Sequence, residues 1–234
     1  MKEKIQGRRE DLCKGRSGWR LFPLPTVFVA GGVVLVCLFS SGIETYTFAQ
    51  TIVDEWPTVK APNAPELKPV TIDSKVTALL VLDIVKPICN AERTPRCVSS
   101  VPKLQGLVNQ ARAKGVSVIY SLGGKATPAD IWKEVAPREG EPIVESNADK
   151  FFKTDLEKIL KEKGITTVIL VGTWANGAVL STTGGAVVRG FQVIVPVDGM
   201  SAPSTYIEQY VTWHIANSPA TRGVTLTRID MIKF

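Results

Sequence analysis

Short apolar runs recur along the chain and alternate with segments that have helical patterns. The apolar runs are 76–85, 116–122, 167–172, 192–197 and 224–227. A run that is apolar at successive positions is typical of a strand buried on both of its faces. The predicted helices between and after these runs are 101–114, 128–135, 154–163, 178–189 and 204–217. This order predicts an α/β fold in which helices cover both faces of a parallel sheet, a three-layer α/β/α sandwich.

The sheet predicts where a ligand would bind. In open parallel sheets, ligands bind outside the carboxyl ends of the strands. Asp83 stands near the end of the first apolar run, and the turn 172–178 follows the run 167–172. A carboxylate in so apolar a segment needs a polar partner or a functional role. We therefore expect the ligand site to include Asp83 and this turn.

The N-terminal segment has the features of an export signal. Residues 1–20 hold seven Lys or Arg against three Asp or Glu, and 21–43 hold no charged residue. Small side chains stand three and one residues before a cut after Ala49, which is the pattern of a cleaved signal peptide. An uncleaved anchor is the alternative, because 23 uncharged residues can span a bilayer. Either form predicts a periplasmic or extracellular protein, anchored to the membrane by 21–43 if uncleaved.

Most of the positive charge belongs to this segment. The chain has a net charge of +6, but residues 21–234 hold only 21 basic against 19 acidic side chains. A nearly neutral body disfavours nucleic acid as a partner. We divide the chain into a signal peptide or anchor (1–49), an extended linker with four prolines (50–73) and one α/β domain (74–234). The prolines of the linker disfavour both helices and central strands.

The cysteines and the single histidine limit the chemistry further. Cys13 and Cys37 belong to the export segment, which leaves Cys89 and Cys97 in the body. In an oxidising compartment these two cysteines either form a disulfide or remain free thiols, and the spacing alone does not decide between them. His214 is the only histidine, so a histidine-rich metal site is excluded, and we predict neither a metal nor a cofactor.

Four segments, in this order and spacing, resemble the isochorismatase-like cysteine hydrolases. They are 78–85, which ends in an Asp and two apolar residues; 151–160, with an F-x-x-T-x-L pattern; 165–172 with its following turn; and 189–199. This superfamily includes nicotinamidases, N-carbamoylsarcosine amidases and isochorismatases, and the resemblance covers about 75–200. It implies a Rossmann-type sandwich and an amidase-type hydrolase.

The resemblance also implies a set of site residues. The superfamily uses a Cys nucleophile at a helix N-terminus, an Asp base, a Lys, and backbone N–H groups in a turn that often contains a non-proline cis peptide. Matched residue by residue, Asp83 takes the Asp position and Ala178 takes the nucleophile position. Glu145 takes the Lys position, counted back from Phe151, whereas the spacing of Lys150 does not match.

The turn itself supplies the predicted binding residues. They are Thr173, Trp174, Asn176 and Gly177, and the resemblance places any cis bond between Thr173 and Trp174. Trp174 is either a wall against which a ligand stacks or a lid on the core. A lone histidine such as His214 is more often a structural residue than a catalyst.

Three functional hypotheses follow from these matches. The first is an exported protein that binds a small polar or anionic ligand without covalent chemistry, because Ala178 carries no nucleophile. The second is a C–N or ester hydrolase in which Asp83 and Glu145 activate water. The third is a structural subunit of a homo-oligomer, a state of assembly that the resemblance also implies for the first two.

Overall fold

The computed structural model describes residues 51–234. The chain divides at Thr58 into two units, Met1–Thr58 and Val59–Phe234. In the first unit the described residues form one short helix, α1 (Ile52–Glu55), followed by a 3₁₀ turn, Trp56–Thr58. The predicted export segment lies outside the described residues. Within 51–234, no helix is both long enough and apolar enough to cross a membrane.

The second unit is built on a parallel sheet of seven strands. Its strands are β2 (Thr77–Leu82), β3 (Ser117–Leu122), β4 (Ile143–Glu145), β5 (Thr167–Thr173), β6 (Gln192–Pro196), β7 (Met200–Ser201) and β8 (Thr225–Thr227). The strand order is β4-β3-β2-β5-β6-β8, with β7 paired to the end of β5. β2 and β5 are central and wholly buried, as their continuous apolar sequences predict.

Helices cover both faces of this sheet. They are α2 (Pro95–Ala113), α3 (Leu156–Glu162), α4 (Leu180–Val188) and α5 (Thr205–Asn217). The core on one face joins Leu79 and Val81 of β2 to α2, and the core on the other face joins Leu80 and Leu82 to α3, α4 and α5. The predicted three-layer α/β/α sandwich is confirmed.

Several element bounds differ from the predicted ones for local reasons. Helix α2 begins at Pro95, six residues before the predicted start, because a proline is well accommodated in the first turn of a helix. The predicted helix 128–135 is two separate 3₁₀ turns, Pro128–Asp130 and Lys133–Val135. The short strands β4 and β7 were not predicted, because three and two residues are too few to show a pattern.

The predicted linker is only partly extended. Its beginning forms α1, and its end forms a short strand, β1 (Val70–Thr71), which pairs in parallel with β9 (Ile232–Lys233). The backbone N–H of Lys68 also donates to the carbonyl of Leu226 at 2.9 Å. Residues 59–73 therefore belong to the compact second unit, and not to a free tether.

A close backbone contact sets the edge at which the site forms. Leu82 and Gly172, at the carboxyl ends of β2 and β5, are register partners. Gly172 has φ +132°, and a Cβ atom at this position would overlap the Leu82 carbonyl group. Only glycine combines this conformation with this approach. The contact places Asp83 beside the turn that begins at Thr173.

The close contact between Gly172 and the Leu82 carbonyl predicts that a methyl group added at Gly172 destabilises the protein. Gly172→Ala should lower the free energy of unfolding by more than about 3 kcal/mol, because backbone atoms would have to move apart. Gly106→Ala is the matched control: Gly106 lies inside α2 with open space at its Cβ position. This control should stabilise the protein by about 0.5–1 kcal/mol. Urea denaturation measures both, and a Gly172→Ala variant as stable as wild type would contradict the packing described.

Candidate functional site

Asp83 leaves the end of β2 with its carboxylate held by the neighbouring strand. Its φ is +54°, and its residue exposure is 5%. The hydroxyl of Ser121, on β3, donates to Oδ1 of Asp83 at 2.6 Å and accepts from the Asp83 backbone N–H at 3.2 Å. A Cβ atom on Gly123 would lie 2.5 Å from Oδ2, so the absence of a side chain there leaves room for the carboxylate.

Lys150 is the partner of this carboxylate. Its Nζ lies 2.8 Å from Oδ2 of Asp83, and its side chain has no solvent exposure. The same Nζ donates to the carbonyl groups of Ser146, at 2.8 Å, and Asn147, at 2.6 Å. An ammonium group has three donors. All three are therefore used inside the protein.

The ion pair controls the charge at this edge of the sheet. Burial is the main influence and raises the pKa of Asp83 above its ordinary value, while Lys150 and Ser121 act in the opposite direction. A raised pKa means that the folded state holds the proton more tightly than the unfolded chain does. The contribution of Asp83 to the free energy of unfolding is therefore complete below the pKa of the unfolded chain. It is lost as the pH rises through the pKa of the folded protein.

The structure pairs Lys150, and not Glu145, with Asp83. Glu145, the last residue of β4, is exposed, and it is Lys150 that reaches Asp83. The prediction assigned Glu145 by counting residues back from Phe151. Such a count does not show the path that the backbone takes between the two residues. Hydrogen bonds from Lys150 to the Ser146 and Asn147 carbonyl groups hold the loop 146–150 in a compact shape, and the lysine five residues after Glu145 brings its ammonium group to the carboxylate.

Helix α4 holds this loop in place. The backbone N–H of Lys150 donates to Thr182 Oγ1 at 3.2 Å, and the same hydroxyl donates to the carbonyl of Ala148 at 3.3 Å. One turn further on, Gly185 packs against the Asp149 carboxylate, which a Cβ atom would approach to 2.6 Å. Thr182 therefore positions the lysine loop.

The turn after β5 begins the helix on which the nucleophile position falls. The Thr173–Trp174 peptide is cis, at the place that the resemblance indicated. Residues Ala175–Val179 form a π-helical turn that leads directly into α4. The N–H groups of Gly177 and Val179 donate to the Trp174 carbonyl at 2.9 and 3.2 Å. Ala178 is buried in this turn, with 4% exposure.

Trp174 lies between this turn and a second loop. The indole is partly exposed, but its Nε1 is buried and has no hydrogen-bond partner in the part of the chain that the structure describes. The guanidinium carbon of Arg93 lies 5.8 Å from the ring centroid, within the range of a cation–π contact. Asn176, in the same turn, is exposed.

A disulfide closes the loop that carries Arg93. Cys89 and Cys97 are bonded, with their Cα atoms 5.4 Å apart. Of the two alternatives left open by the sequence, the structure therefore has the disulfide. Trp132 adds a hydrogen bond from its Nε1 to the Cys89 carbonyl at 2.9 Å.

The structure brings together some of the predicted residues and adds others. Asp83 and the turn 173–178 meet at neighbouring strand ends, whereas Glu145 stays outside. His214 lies on α5, where its ring contacts Tyr210 edge-on. Ser121 was missed, although a serine near the end of a buried strand was a usable signal. Within 51–234, no three His, Cys, Asp or Glu side chains are grouped to hold a metal ion.

The buried pair predicts coupled effects on stability. Asp83→Asn should lower the free energy of unfolding by about 3–5 kcal/mol, because Lys150 would remain as a buried charge without a counter-charge. Lys150→Met should have a similar cost. The double variant Asp83→Asn/Lys150→Met should cost less than the sum of the two, as measured by urea denaturation.

An exposed ion pair provides the control for these single and double variants. Lys161 and Glu157 form an i,i+4 ion pair at the surface of α3, so Lys161→Met should leave the stability almost unchanged. Additive costs for Asp83→Asn and Lys150→Met would contradict a coupled pair.

Comparisons with known proteins agree with this geometry. The isochorismatase domain model matches residues 77–230. The chain is 28% identical to the N-carbamoylsarcosine amidase of an Arthrobacter species, over 53% of this chain and 57% of that enzyme, so it spans little more than half the enzyme's length. It is 31% identical to an uncharacterised isochorismatase family protein of Bacillus subtilis, over 56% of this chain and 80% of the relative.

A solved structure has the same fold. The isochorismatase-like hydrolase of Alkaliphilus metalliredigens superposes with a TM-score of 0.61 at 25% identity, over 68% of this chain and 94% of that one. The family match covers the central strands, the lysine loop and the turn after β5. The chain therefore belongs to the isochorismatase family, whose fold is that of the isochorismatase-like cysteine hydrolases.

Proposed function

We propose that this protein binds a small polar or anionic ligand at the carboxyl edge of its sheet and does not carry out the thiol-dependent hydrolysis of its family. The observation that carries the proposal is the methyl group of Ala178 at the nucleophile position. Loss of an attacking group lowers the rate of an enzyme by several orders of magnitude. The fold and the acid–lysine pair are kept, but the group that would form the covalent bond is missing.

No described cysteine offers a substitute thiol. The sequence has four cysteines, of which Cys13 and Cys37 precede the described residues. Cys89 and Cys97 are bonded to each other and are buried. A nucleophilic cysteine has to be a thiolate, which a disulfide sulfur is not.

The turn after β5 offers a non-covalent site for an anion. Residues 175–188 form a continuous helical segment, and the first N–H groups of a helix have no acceptor inside it. In the described part of the chain, no backbone carbonyl accepts from the N–H of Ala175 or Asn176. Such N–H groups and the helix dipole favour negatively charged groups. Because Lys150 balances the charge of Asp83, the carboxylate next to the turn does not strongly oppose an anion.

The contacts of the carboxylates disfavour a water-activating hydrolase. Both oxygens of Asp83 are engaged, one by Ser121 and the other by Lys150. Glu145 is exposed and makes no side-chain hydrogen bond or ion pair with any residue in 51–234. A general base must reach the proton that it removes, and a pair of carboxylates acting on one water must face the same pocket. These contacts favour binding over the hydrolase hypothesis.

We also propose that the domain is exported and that it acts as a homo-oligomer. The basic segment followed by the uncharged stretch 21–43 supports export. A disulfide in the body accords with an oxidising compartment. Three exposed aromatic side chains of α5, those of Tyr206, Tyr210 and Trp213, support self-association.

A substrate panel tests the loss of catalysis. The purified full chain is incubated with small amides, carbamoyl compounds and carboxylic esters, and products and intact protein mass are followed by mass spectrometry. We expect no acyl adduct and no turnover above that of Asp83→Asn/Lys150→Met. The double variant is used because the single change leaves a buried charge. Turnover by wild type that this variant abolishes would contradict the proposal.

Restoring a thiol provides the positive control. Ala178→Cys should react with an activated ester such as p-nitrophenyl acetate and gain the mass of one acetyl group, whereas wild type should not. The helix N-terminus lowers the pKa of a thiol placed there, which favours the reactive thiolate.

A further inference from the structure

We propose that Arg93 is the residue that recognises the charged group of the ligand, and that this group is a carboxylate. The inference rests on the proposed function, since it names the ligand class for the same site. It starts from an exposed guanidinium that lies over Trp174 at the turn after β5. Nothing in the match to the family assigns a role to this arginine.

Most of the hydrogen-bonding capacity of Arg93 is free. One of its nitrogens, Nη1, donates to the Pro87 carbonyl at 3.0 Å. Its other side-chain donors have no acceptor in residues 51–234, and Arg93 takes part in no ion pair there. A guanidinium presents its N–H groups as a planar fork that matches the two oxygens of a carboxylate. The contact with Pro87 and the ring fixes the orientation of this fork.

The loop that carries Arg93 is held rigid from within. The Asn90 side-chain oxygen accepts from the backbone N–H groups of Glu92, at 3.1 Å, and Arg93, at 2.9 Å. The Thr94 hydroxyl donates to the Ile88 carbonyl at 2.6 Å, and the Cys89–Cys97 disulfide encloses the segment. A group that is already ordered loses less entropy when it binds a ligand.

Trp174 connects this loop to the helix N-terminus. Its ring lies under the guanidinium, and it immediately precedes the turn whose N–H groups of Ala175 and Asn176 lack carbonyl acceptors in the described residues. The buried Nε1 of the same indole also lacks an acceptor there. A buried donor without a partner is costly, and a ligand oxygen would satisfy it. Donors from the guanidinium, the indole and the turn therefore all lie at or next to Trp174, and those of Arg93 and Asn176 belong to exposed residues.

Lys150 does not compete for the role of cation. Its three donors are used by Asp83, Ser146 and Asn147, and it is fully buried. The positive charge that an anionic ligand meets must then come from a different residue. Arg93 then offers one positive charge to the ligand, which matches the single negative charge of a carboxylate.

Carboxylates and amides of the same shape are compared to test whether Arg93 recognises a carboxylate. Isothermal titration calorimetry with the full chain compares acetate, pyruvate and benzoate with acetamide, pyruvamide and benzamide. Arg93→Gln should weaken binding of the carboxylates by about tenfold or more and leave the amides unchanged, because a charged hydrogen bond is lost. Lys86→Gln, which removes the same charge from an exposed position three residues before Cys89, should change neither series.

The outcomes separate this inference from the proposed function. Equal carboxylate affinity in wild type and in Arg93→Gln would overturn the role of Arg93 and leave the binding function standing. Absence of binding by both series in wild type would contradict the proposed function, and this inference with it. Inorganic phosphate that binds more tightly than every carboxylate, and loses that affinity in Arg93→Gln, would overturn the ligand class. Circular dichroism and a thermal melt check that the variants are folded.

Discussion

A buried ion pair between Asp83 and Lys150 joins segments that are far apart in the sequence. Through Ser121 it fastens the end of β2 to β3, and through the loop 146–150 it reaches Thr182 on α4. A charge without solvent exposure is tolerated only where every donor and acceptor is matched. The pair therefore fixes the path of the lysine loop and the position of the helix that follows the turn after β5. The rest of the candidate site takes its geometry from this arrangement.

The fold could be predicted from the sequence because its main signals are local. Continuous apolar runs identified β2, β3, β5, β6 and β8, and the order of elements identified a parallel sheet. Asp83 and the turn at Thr173 could be located because carboxyl ends of adjacent parallel strands meet at one edge. Lys150 could not, since its role depends on a loop that folds back on itself, and a position count matched Glu145 instead. No sequence pattern indicated that Arg93 belongs to the site, because its contact with Trp174 joins residues that are 81 positions apart in the chain.

Under the proposed function, the site has the electrostatic features of a hydrolase but lacks the group that attacks. The carboxylate is neutralised by the lysine, the N–H groups of Ala175 and Asn176 have no carbonyl acceptor in the described residues, and Ala178 contributes only a methyl group. With Lys150 enclosed, the exposed guanidinium of Arg93 is the cation that we propose meets the ligand. These features favour reversible recognition of an anion, which needs fixed donors, over a reaction that needs a nucleophile.

Nuclear magnetic resonance tests the central claim most directly. A ¹⁵N-labelled full chain titrated with benzoate should show saturable and reversible shifts at the backbone N–H groups of Ala175 and Asn176 and at the indole N–H of Trp174. These are the donors for which the described residues provide no acceptor. Dilution should return the signals to their original positions, because no bond is formed. Unchanged signals at these three groups, with saturable shifts elsewhere on the protein, would contradict the account.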